Sequence, residues 1–531
     1  AVLQARDAEG GCLYTAITDC GAGGLSSAVG EMGRAVGAVV DLEKVPLKYA
    51  GLRYDEIWIS EAQERMVLAV PPENLDRLLR IMRDEEVEAT VIGTFGHPDA
   101  GRAGAPRLTV RYNGQEVGDL EMSFLHGGLP QRQLTAEWWP TDTSLELPPA
   151  PPTTPLITAE LLGRLRLELA RPCVASKEWV IRQYDHEVQG GSRIKPLMGP
   201  GSGPADAAVL CPRFDSLRGI AIGCGLVPHL ADVDPYWMAA ASIDEAVRNV
   251  VCVGGRLGQI AILDNFCWGR TEEPDQLGAL VRACQACFDL ARAYGVPFIS
   301  GKDSLNNEFA LDQADVEPLL AALERRAALP GTDAARLRAI LPRLRQQLRT
   351  RRRLAIPPTL LISAVSILDD VRRCVTASLK RPGNQVILVG GLPQVGFAPP
   401  QARAVHEAVA ELIGQGAVVA CHDLADGGWL VALAEMAIGG DLGASLSEEH
   451  PAHLAPFEEA TAGYLVETPD PELAAGVLDR LEVGHRTVAE VSLRPSLTLG
   501  GREIALDELR AAWAGRVGQG FVPIPASEGC P

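Results

Sequence analysis

A short element occurs twice in this chain, DCGAGGLSSAVGEM at Asp19–Met32 and DLADGGWLVALAEM at Asp423–Met436. In each copy an Asp is followed by a Gly-Gly pair and then by an apolar helical pattern ending in Glu-Met. Adjacent glycines let backbone approach a ligand and lead into a helix N-terminus, and an Asp just ahead of them can hold a divalent cation against phosphate oxygens. The repeat therefore commits the chain to a duplicated architecture and points to nucleotide chemistry. The likeness continues downstream. Gly37-Ala38 matches Gly443-Ala444, and SEAQERMVLAVPPENLDRLL from Ser60 runs in step with EEATAGYLVETPDPELAAGVL from Glu458. Both read as a carboxylate loop, a strand, a Pro-marked turn and a helix. The first and last domains are expected to share a fold. Where Gln63-Glu64-Arg65 becomes Thr461-Ala462-Gly463, only the first copy keeps polar side chains.

A chain of 531 residues is too long for one core, and the usual domain size predicts about three domains. The Pro-rich run TDTSLELPPAPPTTP, Thr141–Pro155, is the clearest break, because its prolines remove donors and favour extended backbone. A softer break falls at RPGN, Arg381–Asn384, before the strand-like QVILVGG. The expected organisation is a domain at 1–140, a linker at 141–174, a second domain at 175–383 and a third at 384–531. Residues 317–353 form a helical insertion with the basic tail RQQLRTRRR. One charged tract reads most simply as a solvated helix rather than an RNA or membrane surface. A formal charge of -19 makes nucleic acid an improbable partner, while a small anionic substrate can still be held by local donors and Mg. The longest apolar runs, such as IPPTLLISAVSIL, are too short to span a bilayer. The start, AVLQARDAEGG, has no signal-peptide pattern and no Met, so a cytoplasmic protein is expected. Among the 12 cysteines, Cys284 and Cys287 are the one close pair. They lie on a helix-like pattern with no second pair at zinc spacing, which favours packing over metal binding.

Four oxygen-bearing residues of the second half are candidates for one cation. Asp206 ends the Gly/Pro-rich loop GPGSGPADAAVL, whose backbone donors suit phosphate, and Glu245 and Asn249 lie one helical turn apart in IDEAVRNVV. Asp423 opens the second Asp-Gly-Gly element. Oxygen-only ligands suit Mg on nucleotide phosphates rather than zinc. Asp19 holds the same place in the first copy as Asp423 in the second, so the duplication gives it a cation role; an N-cap for the Leu25–Met32 helix is the plainer alternative. In FISGKDSLNNEF, Gly301, Lys302, Asp303 and Ser304 read as a tight turn able to meet phosphate, or as an ordinary turn. Asp264, in LDNFCWG, stands at a strand end where it reaches a ribose hydroxyl or caps a loop.

With these residues in view, the chain resembles the phosphoribosylformylglycinamidine synthase family of purine biosynthesis. The phrases that carry the resemblance are TDCGAGGLSSAVGEM, EIWISEAQERM, KEWVIRQYDHEVQGG, DPYWMAA, LDNFCWG, ISGKDSLNNEF and HDLADGG. It implies an α+β fold of tandem aminoimidazole-ribonucleotide-synthetase-like domains, a pseudodimer made by internal duplication, of which the first ATP-binding domain would precede Ala1. The family's catalytic residues would lie there too. By resemblance, Asp19 matches a catalytic-site Mg ligand, and Glu61, Ala62 and Gln63 match a substrate-contacting Glu-Ser-Gln. Ala62 lacks the hydroxyl, which leaves its contact to backbone. Asp264 and Gly301 match ATP contacts and Ser304 a substrate contact, in an active site shared by the two halves. Lys302 falls where some members place an Asn Mg ligand, and since an ammonium cannot ligate Mg it is better suited to phosphate. Asp206, Glu245, Asn249 and Asp423 match Mg ligands of a second site, where some members keep a structural ADP, with Ala205 and Ala425 as neighbours of that nucleotide.

The implied reaction is ATP-dependent amidation of formylglycinamide ribonucleotide. The amide oxygen is activated as an iminophosphate, and ammonia from glutamine displaces phosphate. A separate glutaminase subunit and a small bridging subunit are implied as partners, because no glutaminase domain follows Gly520 and Cys530 has no nucleophile context. Two other readings compete. A single-half aminoimidazole ribonucleotide synthetase or selenophosphate-synthetase-like enzyme is opposed by the tandem arrangement and the EAQER loop. A non-catalytic nucleotide-binding scaffold is distinguished by the coding region upstream of Ala1.

Overall fold

A computed structural model of the chain describes residues 1–515 other than 8, 97–103, 129, 139–157, 185, 330–331 and 448–454. The Pro-rich run Thr141–Pro155, Gly520 and Cys530 lie outside the described residues. The chain divides into two compact units, Ala1–Gln133 and Leu134–Pro531.

In the first unit, strand Ala16–Asp19 pairs antiparallel with Met66–Ala69. A four-stranded sheet runs in the order Gly93–Phe95, Ala38–Asp41, Arg107–Tyr112, Gln115–Glu121. Helix Leu25–Met32 buries Leu25, Ala28 and Val29 in the core beside Val40, Leu42 and Val110.

The second unit contains two large sheets besides two short two-stranded ones. One has six strands in the order Phe298–Ser304, Ile260–Cys267, Thr359–Leu368, Gly219–Gly225, Ala208–Leu210, Ser192–Ile194. The other has seven, in the order Ala420–Asp423, Thr461–Thr468, Gln385–Leu392, His485–Ser492, Gly443–Leu446, Ser496–Leu499, Arg502–Ala505. Helix Pro235–Cys252 starts where the Asp234 carboxylate accepts the Tyr236 N–H at 2.8 Å, with Pro235 in the first turn. Nearly all of its length is buried, because it serves both sheets: Asp244 and Arg248 reach Ala462 and Asp423 of the seven-stranded sheet. This shared helix makes one compact unit of the stretches 175–383 and 384–531.

A second core lies against the seven-stranded sheet around helix Gly428–Gly440. Trp429, Leu430, Val431, Leu433, Met436 and Ile438 of this helix are fully buried, and each such side chain contributes about 1.5–3 kcal/mol. A helix apolar on all sides is stable only inside a core, and strand Thr461–Thr468 is accordingly buried along its whole length. Helix Thr158–Leu169 joins the same core through Leu161, Leu162, Leu165 and Leu169. The stretch 141–174, expected to be linker, thus contains an amphipathic helix whose leucines find a core.

The insertion forms two helices, Gln313–Ala327 and Thr332–Arg351, carried on the antiparallel pair Glu308–Ala310 and Arg353–Ala355. Its basic residues are matched locally, Arg345 with Glu324, Arg349 with Glu317 and Arg351 with Glu273. Arg345 and Arg349 thus pair within the insertion, and Arg351 with a residue outside it.

Candidate functional site

The two Asp-Gly-Gly elements are built alike. In the first unit Asp19 pairs with Met66, and in the second Asp423 pairs with Tyr464. These are the positions that the sequence repeat aligns. The Gly24 N–H donates to Gly21 O at 2.9 Å, and the Gly428 N–H to Ala425 O at 3.0 Å. Gly23 and Gly24 have φ of 81° and 58°, and Gly427 and Gly428 have 92° and 71°. Only glycine adopts such angles freely, and a Cβ on Gly428 would also stand 2.6 Å from the Glu458 nitrogen. The aligned Glu64 and Ala462 share positive φ as well, 63° and 46°.

In the first unit, the Glu61 Oε1 accepts the Gly23 N–H at 2.9 Å, so this carboxylate lies over the glycine turn. Gln63 donates to Glu61 O at 3.3 Å, and Arg65 donates to Ala62 O at 3.2 Å and to Ser60 O. Ala62 therefore meets its surroundings through backbone. Asp19 is exposed beside Gly21. It does not cap the Leu25–Met32 helix, where Gly24 is the N-cap and no side chain bonds the helix end. The distance along the chain explains this, since the glycine turn separates Asp19 from the first helical N–H groups.

In the second unit Asp206 and Asp423 come together. The Asp423 N–H donates to Asp206 Oδ1 at 3.1 Å, and His422 Nδ1 lies 2.7 Å from the same oxygen. Asp206 Oδ2 is buried with no hydrogen-bond partner. Asp206, His422 and Asp423 each offer a ligand atom, all within 4.8 Å of one another. Arg248 Nη2 holds Asp423 Oδ2 at 3.2 Å, and its Nη1 holds Asp244 at 2.6 Å. Asp244 also accepts from Tyr294 Oη at 2.7 Å and from the Ala462 N–H at 2.9 Å, and lies 3.0 Å from His406 Nε2. Glu245 Oε2 accepts the Leu226 N–H at 2.6 Å, and Asn249 donates to Cys224 O at 2.7 Å. This leaves the Asn249 oxygen for another partner. Ala205 donates to Pro196 O at 3.1 Å and packs against the core beside Asp206.

The electrostatics are those of an acidic cluster in which Asp423 is buried while Glu245 and Glu459 are half-buried. Burial pushes Asp423 up to about 7 against the pull of Arg248. Burial and Glu245 push Glu459 up to about 8, and burial also raises Glu245. A carboxylate stays ionised in such surroundings only beside positive charge, which a divalent cation supplies. His422, Arg248 and Glu459 are functional candidates that the motif reading missed. Glu459 had a visible signal, because it aligns with Glu61 in the repeat.

The remaining candidates lie on the edge strand Phe298–Ser304 and on its neighbour Ile260–Cys267. Gly301 pairs with Asp264 in the parallel ladder of Phe298–Ser304 and Ile260–Cys267, and a Cβ there would collide with the Asp264 carboxylate. Asp264 accepts from the Lys302 backbone, and burial raises its pKa. Lys302 Nζ donates to Ser304 Oγ at 3.0 Å. Gly301–Ser304 are thus strand rather than the tight turn expected, because ladder bonds to the neighbouring strand override the local Gly-Lys-Asp-Ser preference. Cys287, pushed by burial up to about 12, belongs to a helix, and no cysteine joins a metal-ligand cluster among the described residues.

The chain belongs to the AIR synthase related proteins. The N-terminal domain of that family matches residues 204–322, and its C-terminal domain matches twice, at 2–104 and 389–491. Within the class, the chain is similar to the PurL subunit of phosphoribosylformylglycinamidine synthase. It is 32% identical to the Rhodospirillum rubrum protein over 520 residues, covering 93% of this chain and 60% of that protein. It is 31% identical to the Thermococcus gammatolerans protein over 472 residues, covering 86% and 58%. The chain thus spans about 60% of the length of these relatives. Solved structures of Thermotoga maritima PurL share the fold over 90% of this chain: complexed with ATP at 20% identity and TM-score 0.56, covering 64% of that chain; complexed with FGAR at 21% and 0.57, covering 62%; and in the assembly PurLQS at 21% and 0.58, covering 64%. No helix among the described residues is long and apolar enough to cross a membrane.

Proposed function

We propose that this chain serves the ATP-dependent amidation of formylglycinamide ribonucleotide in purine biosynthesis. The observation that carries the reading is the meeting of Asp206, from the Gly/Pro-rich loop, with Asp423 of the second Asp-Gly-Gly element, with a buried Asp206 oxygen left for a cation. Asp206, Glu245, Asn249 and Asp423 would hold Mg on a nucleotide, ATP or a structural ADP, beside Ala205 and Ala425. Bound Mg supplies charge neutralisation of phosphate oxygens. In the first unit, Asp19 would meet Mg and Glu61–Gln63 the ribonucleotide; in the second, Asp264 and Gly301 would meet ATP and Ser304 a substrate. The γ-phosphoryl group passes to the amide oxygen, giving an iminophosphate and ADP. Phosphorylation thereby converts a poor leaving group into a good one, and ammonia then adds to that carbon as phosphate leaves. Ammonia would come from glutamine by way of a glutaminase subunit, with a small bridging subunit. The PurLQS assembly of the Thermotoga protein supports this arrangement.

The test is to purify the chain, denature it, and identify released nucleotide and metal. Stoichiometric ADP with Mg is expected. A protein that emerges empty and gives no heat with added Mg–ADP in calorimetry would remove the second-site assignment. Supplying ATP, formylglycinamide ribonucleotide and an ammonium salt then tests for the amidine directly.

A further inference from the structure

We infer that His422 is a positioning residue for Asp206, holding one carboxylate oxygen so that the other is presented to a nucleotide-bound divalent cation. This rests on the nucleotide-site reading and deepens it. His422 sits on strand Ala420–Asp423 with its side chain 8% exposed, between Asp206 at 2% and Glu435 at 14%. Its Nδ1 lies 2.7 Å from Asp206 Oδ1 and its Nε2 lies 3.2 Å from Glu435 Oε2 on helix Gly428–Gly440. Both ring nitrogens are therefore engaged, so His422 is no metal ligand although it stands among potential ones. Glu435 fixes the ring at its far side, and the Asp423 N–H at 3.1 Å gives Asp206 Oδ1 a second donor.

The result is an asymmetric carboxylate: Oδ1 has two partners, while Oδ2 is buried with none. Leaving a buried acceptor unsatisfied is costly, so the arrangement favours a ligand on Oδ2. Groups that orient metal-binding carboxylates are a regular part of metal sites, and their loss typically weakens metal affinity about 10–100-fold. The device belongs to the second copy. At the aligned positions of the first, Thr18 replaces His422, and Glu31, matching Glu435, is exposed.

The test compares His422→Asn with His422→Gln in the purified chain, stripped with EDTA and titrated with Mn2+ in the presence of ADP by electron paramagnetic resonance. The Asn amide nitrogen falls near the place of Nδ1 and can still donate to Asp206; the Gln amide falls near the place of Nε2 and serves Glu435 instead. We expect Asn to keep affinity within about threefold and Gln to lose about 10–100-fold, with a changed Mn2+ line shape. A purely structural role would lower the metal-free melting temperature of both variants and leave their Mn2+ affinities equal. Equal affinities, at the wild-type level or below it, overturn the inference while the nucleotide site stands. A wild-type chain that takes up no Mn2+ with ADP overturns the site itself and the positioning role with it.

Discussion

Arg248→Met is the substitution whose cost the structure sets most directly. The guanidinium is 2% exposed and bridges Asp244, at 0%, and Asp423, at 4%, at 2.6 Å and 3.2 Å. At an effective dielectric constant of about 20, each pair is worth roughly 5 kcal/mol of gross attraction, most of it offset by desolvation of the three charges. Removing one partner leaves the others buried, and such losses run at about 3–5 kcal/mol. The two carboxylates do not share that loss equally. Asp244 keeps Tyr294, His406 and the Ala462 N–H. Asp423 loses the group that holds its Oδ2.

Protonation relieves Asp423, and this fixes the pH dependence. Its folded pKa of about 7, raised by burial, lies above the ordinary value near 3.9. Between those values the native state binds more protons than the unfolded one, so this group's contribution to stability falls as pH rises towards 7. Without Arg248 the folded value moves higher still. Urea unfolding in EDTA should therefore show Arg248→Met destabilised by about 3–5 kcal/mol at pH 8 and by up to about 1.4 kcal/mol less at pH 5.5. Adding Asp423→Asn to Arg248→Met should restore part of the loss at pH 8. A loss below about 1 kcal/mol, or one equal at both pH values, would refute the view that Arg248 neutralises buried Asp423.

Because burial raises Asp423 to about 7 and Glu459 to about 8, Mg–ADP binding at pH 6.5 should expel protons and tighten as pH rises; calorimetry in two buffers of different ionisation enthalpy measures the release. Gly428→Ala should cost more than Gly416→Ala in thermal melts, since both have positive φ, 71° and 72°, but only Gly428 has backbone within 2.6 Å of the new Cβ. The expected losses are about 1–2 kcal/mol for Gly416 and several for Gly428. Replacing residues 312–351 by a short glycine turn should leave a folded protein with unchanged Mg–ADP affinity, because Ala310 and Arg353 are already paired at the base of the insertion. Loss of nucleotide binding in that variant would give the insertion a role in the site.

The duplicated half of the architecture was legible because it rests on local backbone demands. A Gly pair at positive φ, a strand before it and a Pro-started helix after the partner strand leave marks at fixed spacing, and the ladder register Asp19 with Met66 and Asp423 with Tyr464 follows that spacing residue for residue. Of the candidate site, Asp423 was legible inside such a mark, Asp206 at the end of a Gly/Pro-rich loop, and Glu245 and Asn249 by their one-turn spacing. Arg248 and Asp244 stand one turn apart in IDEAVRN, a spacing that on an isolated helix describes a solvated ion pair. They are buried instead because the helix lies between two sheets, a fact about distant strands that periodicity does not carry. His422 has the same origin: its partners come from a loop far upstream and from the next helix. Glu459 differs, since the repeat itself places it opposite Glu61, and the divergence at Thr461–Gly463 drew attention past it. Its position implies that the second copy did not lose its polar hand but turned it inward. Glu61 lies over the glycine turn at an exposed hydrogen bond, whereas Glu459 shares a buried field with Glu245 and Asp423. Repulsion among those carboxylates is only partly balanced by Arg248, and the cation proposed for this site would supply further positive charge. The same duplicated frame thus sets an exposed carboxylate over the glycine turn in one copy and an acidic cluster around buried Asp423 in the other.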